Sequence, residues 1–315
     1  MDLRKLRYFV GVAEAGGFRR AAKKLHVAQP ALSTQIRELE AEIGRRLLDR
    51  GRLGITLTPE GLRLLAESRD IIERVDRLAT SIERPKGLVR GLVKIGAPFS
   101  VSACLFGPLA RNLRDRHPEI QLKCVNDTAR LMDLLGANEL DLAVLTRIDP
   151  DEISGPWHVE RLVKEQTFLV GPKGAIDPSR PVQFASVVDL PLVLSPMPHP
   201  RRAHMQRLAA AWGKRLNVAA EAGAISAQAS FVLQGLGYAV MPFSAANLMK
   251  GSGPLDIAPI EDLGSWRLLV RRSDRQPSQA STIVSEMIVD LFKDGIAPLY
   301  RPAPPVAPAE MDAVG

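Results

Sequence analysis

The sequence predicts two parts: an N-terminal winged helix-turn-helix, all-α apart from its wing, that runs into a long linker helix, and a larger α/β domain of two lobes. Three observations carry this prediction. Residues 18–50 hold two apolar stripes at helical period, separated by a short break. A seam of residues spaced alternately four and three apart runs from Leu57 to Ile82. From Leu92 onward, short β-like runs alternate with helical segments.

The first helix is expected over residues 3–13, with Leu3, Leu6, Phe9, Val10 and Ala13 on one face and Gly16-Gly17 ending the connection. A second follows with Phe18, Ala21, Ala22 and Leu25 at i, i+3, i+4, i+7. A third carries Leu32, Ile36, Leu39 and Ile43. Between them lie His26, Val27, Ala28 and Gln29, and Pro30 suits the start of a helix, where its missing N–H costs nothing. This is the layout of a helix-turn-helix. With the stripe of the third helix turned inward, its other side presents Pro30, Ser33, Thr34 and Arg37, compact enough for a major groove and able to bond base edges or phosphates.

Residues 47–58 alternate hydrophobics with Gly and Arg, as in a two-stranded hairpin, here a wing. Arg50 and Arg52 near its tip either meet the DNA backbone or minor groove or form a solvated surface. Thr58-Pro59-Glu60 reads as an N-cap, a Pro at the first position and an early acid, opening a helix to about residue 83. Its seam of Leu57, Gly61, Leu64, Ser68, Ile71, Val75, Leu78 and Ile82 fits a two-stranded coiled coil, so Leu64, Ile71, Val75, Leu78 and Ile82 are the candidate dimer contacts. Packing on its own domain is the alternative. Domain limits are set at 1–58, 59–87, 88–300 and a disordered Pro/Ala-rich tail over 301–315.

Strands are expected at 92–95, 120–125, 140–145, 167–170, 192–194, 218–221 and 238–241. Helices are expected at 104–116, 130–135, 200–215, 227–236 and 282–292. Strand-helix-strand units imply parallel sheets covered by helices, and ligands in such sheets bind beyond the carboxyl ends of strands. Ser100, Ser102, Thr128 and Ser226 fall there, as ligand contacts or as plain N-caps. The proline-dense turn 195–201 offers Pro198, His199 and Arg201, the last two able to pair with a carboxylate unless the turn is only a rigid surface loop. Arg147 is a further candidate, with a solvated role equally open. An organic anion is the expected ligand class. Gly235 and Gly237 miss the dinucleotide spacing and suit a helix end.

The chain has 315 residues, 46% of them hydrophobic, which is ample for a core. Its net charge of +7 is uneven: residues 1–87 hold 18 Lys+Arg against 12 Asp+Glu, and residues 88–315 hold 24 against 23. The surplus sits where phosphates would be met. Cys104 and Cys124 lack metal or disulfide-scaffold spacing, so two reduced, buried thiols are expected, a redox pair being the alternative. No cofactor and no metal site are expected. No signal segment is read and no apolar run approaches the ~20 residues of a membrane span, giving the expectation of a cytoplasmic, non-membrane protein. A nucleophile elbow, P-loop or paired catalytic carboxylates are not found, which disfavours an enzyme.

The run LRKLRYFVGVAEAGGFRRAAKKLHVAQPALSTQIRELEAEIGRRLLDR with LTPEG resembles the N-terminal module of LysR-type transcriptional regulators. VKIGAP, HPEIQL, ELDLAVL, FLVGP, DLPLVLSP and VLQGLGYAVMP come after it in family order, most like the nitrogen assimilation control group. The resemblance implies a homodimer or homotetramer that binds double-stranded DNA and works with RNA polymerase. It also implies a regulatory domain like the type 2 periplasmic binding proteins, with a small effector between the lobes bordered by the 195–201 loop. Gln29, Pro30 and Ser33 match the base-reading start of the recognition helix, and Arg37 extends that face. Thr34 stands where many members have Arg. Arg19 and Arg20 match positions at the helix that crosses the backbone, implying phosphate contact.

Overall fold

The computed structural model describes residues 1–51, 54–82 and 89–296. Arg52, residues 83–87 and the tail 301–315 lie outside the described residues, as do the side chains of Arg50, Leu78 and Ile82. The chain divides into two compact units, Met1–Leu88 with Gly136–Glu139, and Val89–Leu135 with Leu140–Gly315.

In the first unit, α1 (Leu3–Ala15), α2 (Phe18–Leu25) and α3 (Gln29–Ile43) enclose a core of Phe9, Val12, Ala21, Leu32, Ile36 and Leu39, all fully buried. Each helix ends where sequence allows a left-handed residue. Gly16 and Gly44 close α1 and α3, and His26 at φ 55° starts the turn of the helix-turn-helix. Val12, absent from the face read in the sequence, is buried because α2 and α3 cover α1 more widely than one stripe. Strands β1 (Leu48–Gly51) and β2 (Gly54–Leu57) pair antiparallel as the wing. The Glu40 carboxylate accepts from the backbone N–H of Leu47 (2.8 Å) and Leu48 (3.2 Å), fixing the wing to α3.

Helix α4 (Pro59–Ile82) begins at Thr58, whose hydroxyl accepts from the Gly61 N–H at 3.0 Å. Gly61 is required by proximity: a Cβ there would overlap the Leu47 carbonyl oxygen. Gly61→Ala is expected to cost about 1–3 kcal/mol through overpacking against immovable backbone. Far-UV circular dichroism of the thermal melt checks this. The proposed seam divides along its length. Leu57 and Leu64 pack against the core of their own unit, whereas Ile71 is 40% exposed.

The second unit is one eight-stranded mixed sheet, which corrects the expectation of purely parallel sheets. The strands are β3 (Gly91–Ala97), β4 (Ile120–Asn126), β5 (Leu142–Arg147), β6 (Trp157–Pro172), β7 (Leu192–Leu194), β8 (Val218–Glu221), β9 (Tyr238–Pro242) and β10 (Leu255–Arg272), in the order β4-β3-β5-β10-β6-β9-β7-β8. Each end is parallel: β4, β3 and β5 at one, β8, β7 and β9 at the other. Between them β6 and β10 run antiparallel to each other and to β9 and β5, so two long strands serve both lobes. The β10 register slips between Pro259 and Gly264, at the crossing.

Helices α5 (Phe99–Arg116), α6 (Leu131–Gly136) and α11 (Gln279–Asp290) belong to the first lobe. Helices α7 (Phe184–Val187), α8 (Pro200–Ala211), α9 (Ile225–Leu233) and α10 (Phe243–Lys250) belong to the second. Buried apolar clusters lie within each lobe, for example Val93, Ile95, Leu105, Leu109 and Ile288 in the first and Val193, Val232, Ala239 and Met249 in the second. Gly235, at φ 74°, follows the end of α9, the helix-end role expected of it. Cys104 is buried on α5, but Cys124 is exposed, because β4 is an edge strand. Burial, with Glu165 nearby, pushes the Cys104 thiol up, away from the thiolate that redox chemistry needs. Among the described residues no helix is long and apolar enough to cross a membrane.

Candidate functional site

On the first unit, α3 turns Leu32, Ile36 and Leu39 into the core. The other side of its N-terminal turns therefore carries Gln29, Pro30, Thr34 and Arg37, all exposed, with Ser33 half-buried beside them. Arg37 lies along the helix, donating from Nε to the Ser33 carbonyl (3.4 Å) and from Nη2 to Thr34 Oγ1 (3.3 Å). Thr34 thus positions a neighbouring guanidinium rather than supplying one. Arg19 and Arg20 are exposed on α2, and Arg20 Nη2 also donates to the Gly16 carbonyl at 3.1 Å. Behind this face, Lys5 Nζ meets Glu42 (2.7 Å) and Glu38 (3.1 Å), clamping α1 to α3. Lys5 and the chain's N-terminal ammonium hold the Glu42 carboxyl down at about 2. Acids are thereby occupied away from the basic face, which remains free for phosphates.

In the second unit a cleft open to solvent is lined by residues of both lobes, with Arg267 of β10 in its lining. It lies beyond the carboxyl ends of strands from both lobes, reached by Thr146 from β5 and Val240–Pro242 from β9. Four helices start at its wall: α5 at Phe99, α8 at Pro200, α9 at Ile225 and α10 at Phe243. None of these four N-cap residues makes a side-chain hydrogen bond of its own. At α10 the Ser244 N–H is instead taken by the Glu165 carboxylate, so the starts of α5, α8 and α9 are the ones left without a side-chain cap.

Beneath lies a buried charge cluster. Arg267 (1% exposed) on β10 donates to Glu165 (0% exposed) on β6 from Nε (2.8 Å) and Nη2 (2.5 Å), and its Nη1 donates to Thr146 Oγ1. The other Glu165 oxygen accepts from the Ser244 N–H at 2.6 Å, at the start of α10. Arg267 is therefore neutralised and fully tied. Arg201 is not. It is 6% exposed, its closest polar partner is the Ser265 hydroxyl at 3.5 Å from Nη2, and its Nε has no hydrogen-bond partner. Burial and then the Arg267 charge push its guanidinium down to about 9, which still leaves it cationic at neutral pH.

His199 is held down to about 4 by burial, then by Arg201, Arg267 and Arg202. The unfolded side chain takes up its proton near pH 6.5, before the folded one does. Stability is consequently full above pH 6.5 and is lost as pH falls toward 4, by roughly 3 kcal/mol at most. A plot of urea midpoint against pH, followed by tryptophan fluorescence, is expected to be flatter for His199→Gln over that window. All three tryptophans, Trp157, Trp212 and Trp266, lie in this unit.

Of the residues read from the sequence, the cavity gathers Ser100, Thr128, His199 and Arg201. Ser102, Arg147, Pro198 and Ser226 do not line it. Ser102 Oγ donates to the Phe99 carbonyl at 3.0 Å, Arg147 Nη1 donates to the Thr146 carbonyl at 3.0 Å, and Pro198 and Ser226 are exposed. Thr146, Ser195, Gln228 and Arg267 line it without having been singled out as site residues. Gln228 Nε2 joins Ser195 Oγ (3.2 Å) to the Ala222 carbonyl (2.6 Å) and so braces the loop before α8. Among the described residues no group of three His, Cys, Asp or Glu side chains has metal-binding geometry.

Comparison with known proteins agrees with both halves. Residues 3–62 match the family described as bacterial regulatory helix-turn-helix protein, lysR family, and residues 86–292 match the LysR substrate binding domain. The nitrogen assimilation regulatory protein nac of Klebsiella aerogenes is 32% identical over 80% of this chain and 82% of its own length. BudR of Raoultella terrigena, a helix-turn-helix-type transcriptional regulator, is 32% identical over 78% and 85%. Among solved structures, a single-residue variant of full-length OxyR from Pseudomonas aeruginosa aligns with TM-score 0.73 at 22% identity over 93% of this chain and 98% of that one. Full-length CbnR in complex with its target DNA aligns with TM-score 0.64 at 22% identity over 93% and 100%. A basic helix-turn-helix followed by a two-lobed sheet around a cavity, matched along nearly the whole length, places the chain in the LysR family of DNA-binding transcriptional regulators.

Proposed function

We propose that this regulator is a homo-oligomer whose operator binding responds to a small organic anion held between the two lobes of its second unit. The observation that carries the reading is Arg201, a buried cation with an unpaired Nε in a cavity where the starts of α5, α8 and α9 converge. An anion there offsets a desolvation cost that the protein alone leaves standing. Ser100 and Thr128 supply hydroxyl donors from the first lobe. His199, neutral at pH 7, supplies one donor or acceptor from the second. Ser102, Arg147, Pro198 and Ser226 are left to shape or flank the site.

On the operator, Gln29, Pro30, Ser33, Thr34 and Arg37 face the bases, while Arg19 and Arg20 contact phosphates and Arg50 and Arg52 of the wing follow the backbone or minor groove. That CbnR, similar in fold along its full length, is found in complex with its target DNA supports DNA as the partner of the first unit. Helix α4 supplies the dimer contact through Ile71, Val75, Leu78 and Ile82, of which Ile71 is already exposed, while Leu64 packs within its own unit and at most borders the seam. A joint Ile71→Ala, Val75→Ala, Leu78→Ala variant is expected to sediment as a monomer; a stable dimer contradicts this part of the reading. The protein acts in the cytoplasm, together with RNA polymerase.

Capture of genomic DNA fragments on the purified protein tests the reading as a whole. It is expected to recover sites with two related half-sites one or more helical turns apart. Recovery of DNA without any common sequence overturns it.

A further inference from the structure

We infer that the cavity is built for an anion bearing a single negative charge and an apolar body, a monocarboxylate rather than a dicarboxylate or a phosphate ester. The inference rests on the reading of this cavity as the effector site and adds a charge count to it. Arg267 is spent on Glu165, which grips it through Nε and Nη2. Arg202, adjacent in sequence, is spent as well: its Nη2 lies 2.6 Å from Glu221 and its Nη1 donates to the Ser195 carbonyl. His199 is uncharged at neutral pH. One positive charge remains at the cavity, on Arg201.

One carboxylate completes that balance. A second carboxylate, or the second charge of a phosphate ester, would be buried without a counter-charge. A neutral isostere would leave Arg201 as it is. Part of the lining suits a hydrocarbon: Ile225, Val240 and Met241 line the wall, and Phe99, 57% exposed, stands at the first turn of α5. Ser100, Thr128, Thr146, Ser195 and Gln228 supply polar contacts that carry no charge.

Isothermal titration of the full chain with hexanoate, adipate and hexanamide separates the possibilities, because the three share a six-carbon chain and carry one, two and no charges. Hexanoate is expected to bind at least about tenfold more tightly than either of the others. Arg201→Gln is expected to lose that preference and Arg201→Lys to retain part of it, with tryptophan fluorescence melting showing whether each variant is folded. Should Arg201→Gln fail to fold, the ranking on the wild-type chain decides alone. Tighter binding of adipate overturns the single-charge inference and leaves the anion reading intact. Equal binding of hexanamide overturns both. Absence of binding by every straight-chain monocarboxylate from propanoate to octanoate at about 20 mM, a weaker affinity than any specific site would give, also overturns the inference.

Discussion

Glu165→Gln is expected to lower the stability of the second unit by about 3–5 kcal/mol, to be read from the urea midpoint of its tryptophan fluorescence. The physical cause is the loss of one charge from a place where no water can compensate. Glu165 is fully buried, accepts two hydrogen bonds from Arg267 and a third from the Ser244 N–H, and is the only carboxylate among these contacts. With Gln in its place, Arg267 and Arg201 would both be buried cations. Removing the partner charge as well, in Glu165→Gln with Arg267→Met, is expected to recover a large part of the loss, because an apolar replacement of a buried pair is often nearly neutral. Equal destabilisation in the single and double variants would show that the site tolerates an unpaired arginine, and the same electrostatic reasoning about Arg201 would lose its basis.

Replacing Ser33 and Arg37 together with Ala is expected to weaken operator binding by about 1–3 kcal/mol for each base edge left without its side-chain partner. Fluorescence anisotropy on a captured operator fragment measures this, with a fragment of scrambled sequence as reference. The variant should lose sequence preference more than it loses general affinity, since on the proposed reading the phosphate contacts of Arg19, Arg20 and the wing would remain. The reverse pattern, retained preference with a salt dependence shallower by about one counterion, would move Arg37 from the bases to the backbone. That outcome is physically distinct because Arg37 already rests on Thr34 and must swing away to reach a base edge.

Much of the first unit's core was legible, Val12 apart, because its helices obey one period each. Leu32, Ile36 and Leu39 repeat at helical spacing and are all fully buried, and Thr58-Pro59 marks the start of α4 within a residue. In the second unit the short strands β7 and β8 have the ends the sequence implies, since each is a simple run between breakers. The long strands β6 and β10 were not legible as such. Their residues pass from one lobe to the other and change environment midway, and β10 holds Pro259 and a register slip where alternation would be sought.

The site divides for the same reason. Arg201 was legible because a proline-dense turn before a helix marks the residues at that helix start. Arg267 and Glu165 lie inside those two crossing strands, where a charge in an extended run ordinarily marks a solvent face. Only the pairing of β10 with β5 and β6 reveals that both are interior and that each offsets the other. Even then the alternating pattern carries a trace of it: Ser265 and Arg267 sit two apart on one face of β10, and both are buried.

Coupling between the cavity and the DNA-binding helix requires that the bound anion favour one arrangement of the oligomer over another; an anion bound equally well in both would shift nothing. The two long strands give the second unit a means of responding, since both lobes hang on β6 and β10 and the cavity is lined by residues of both lobes. The decisive measurement is operator affinity with and without a saturating monocarboxylate ligand, in the wild-type chain and in Arg201→Gln. The account predicts a change of about fivefold or more in the wild type, the lower end of typical coupling free energies, and no change in the variant. An undiminished response in folded Arg201→Gln would contradict it.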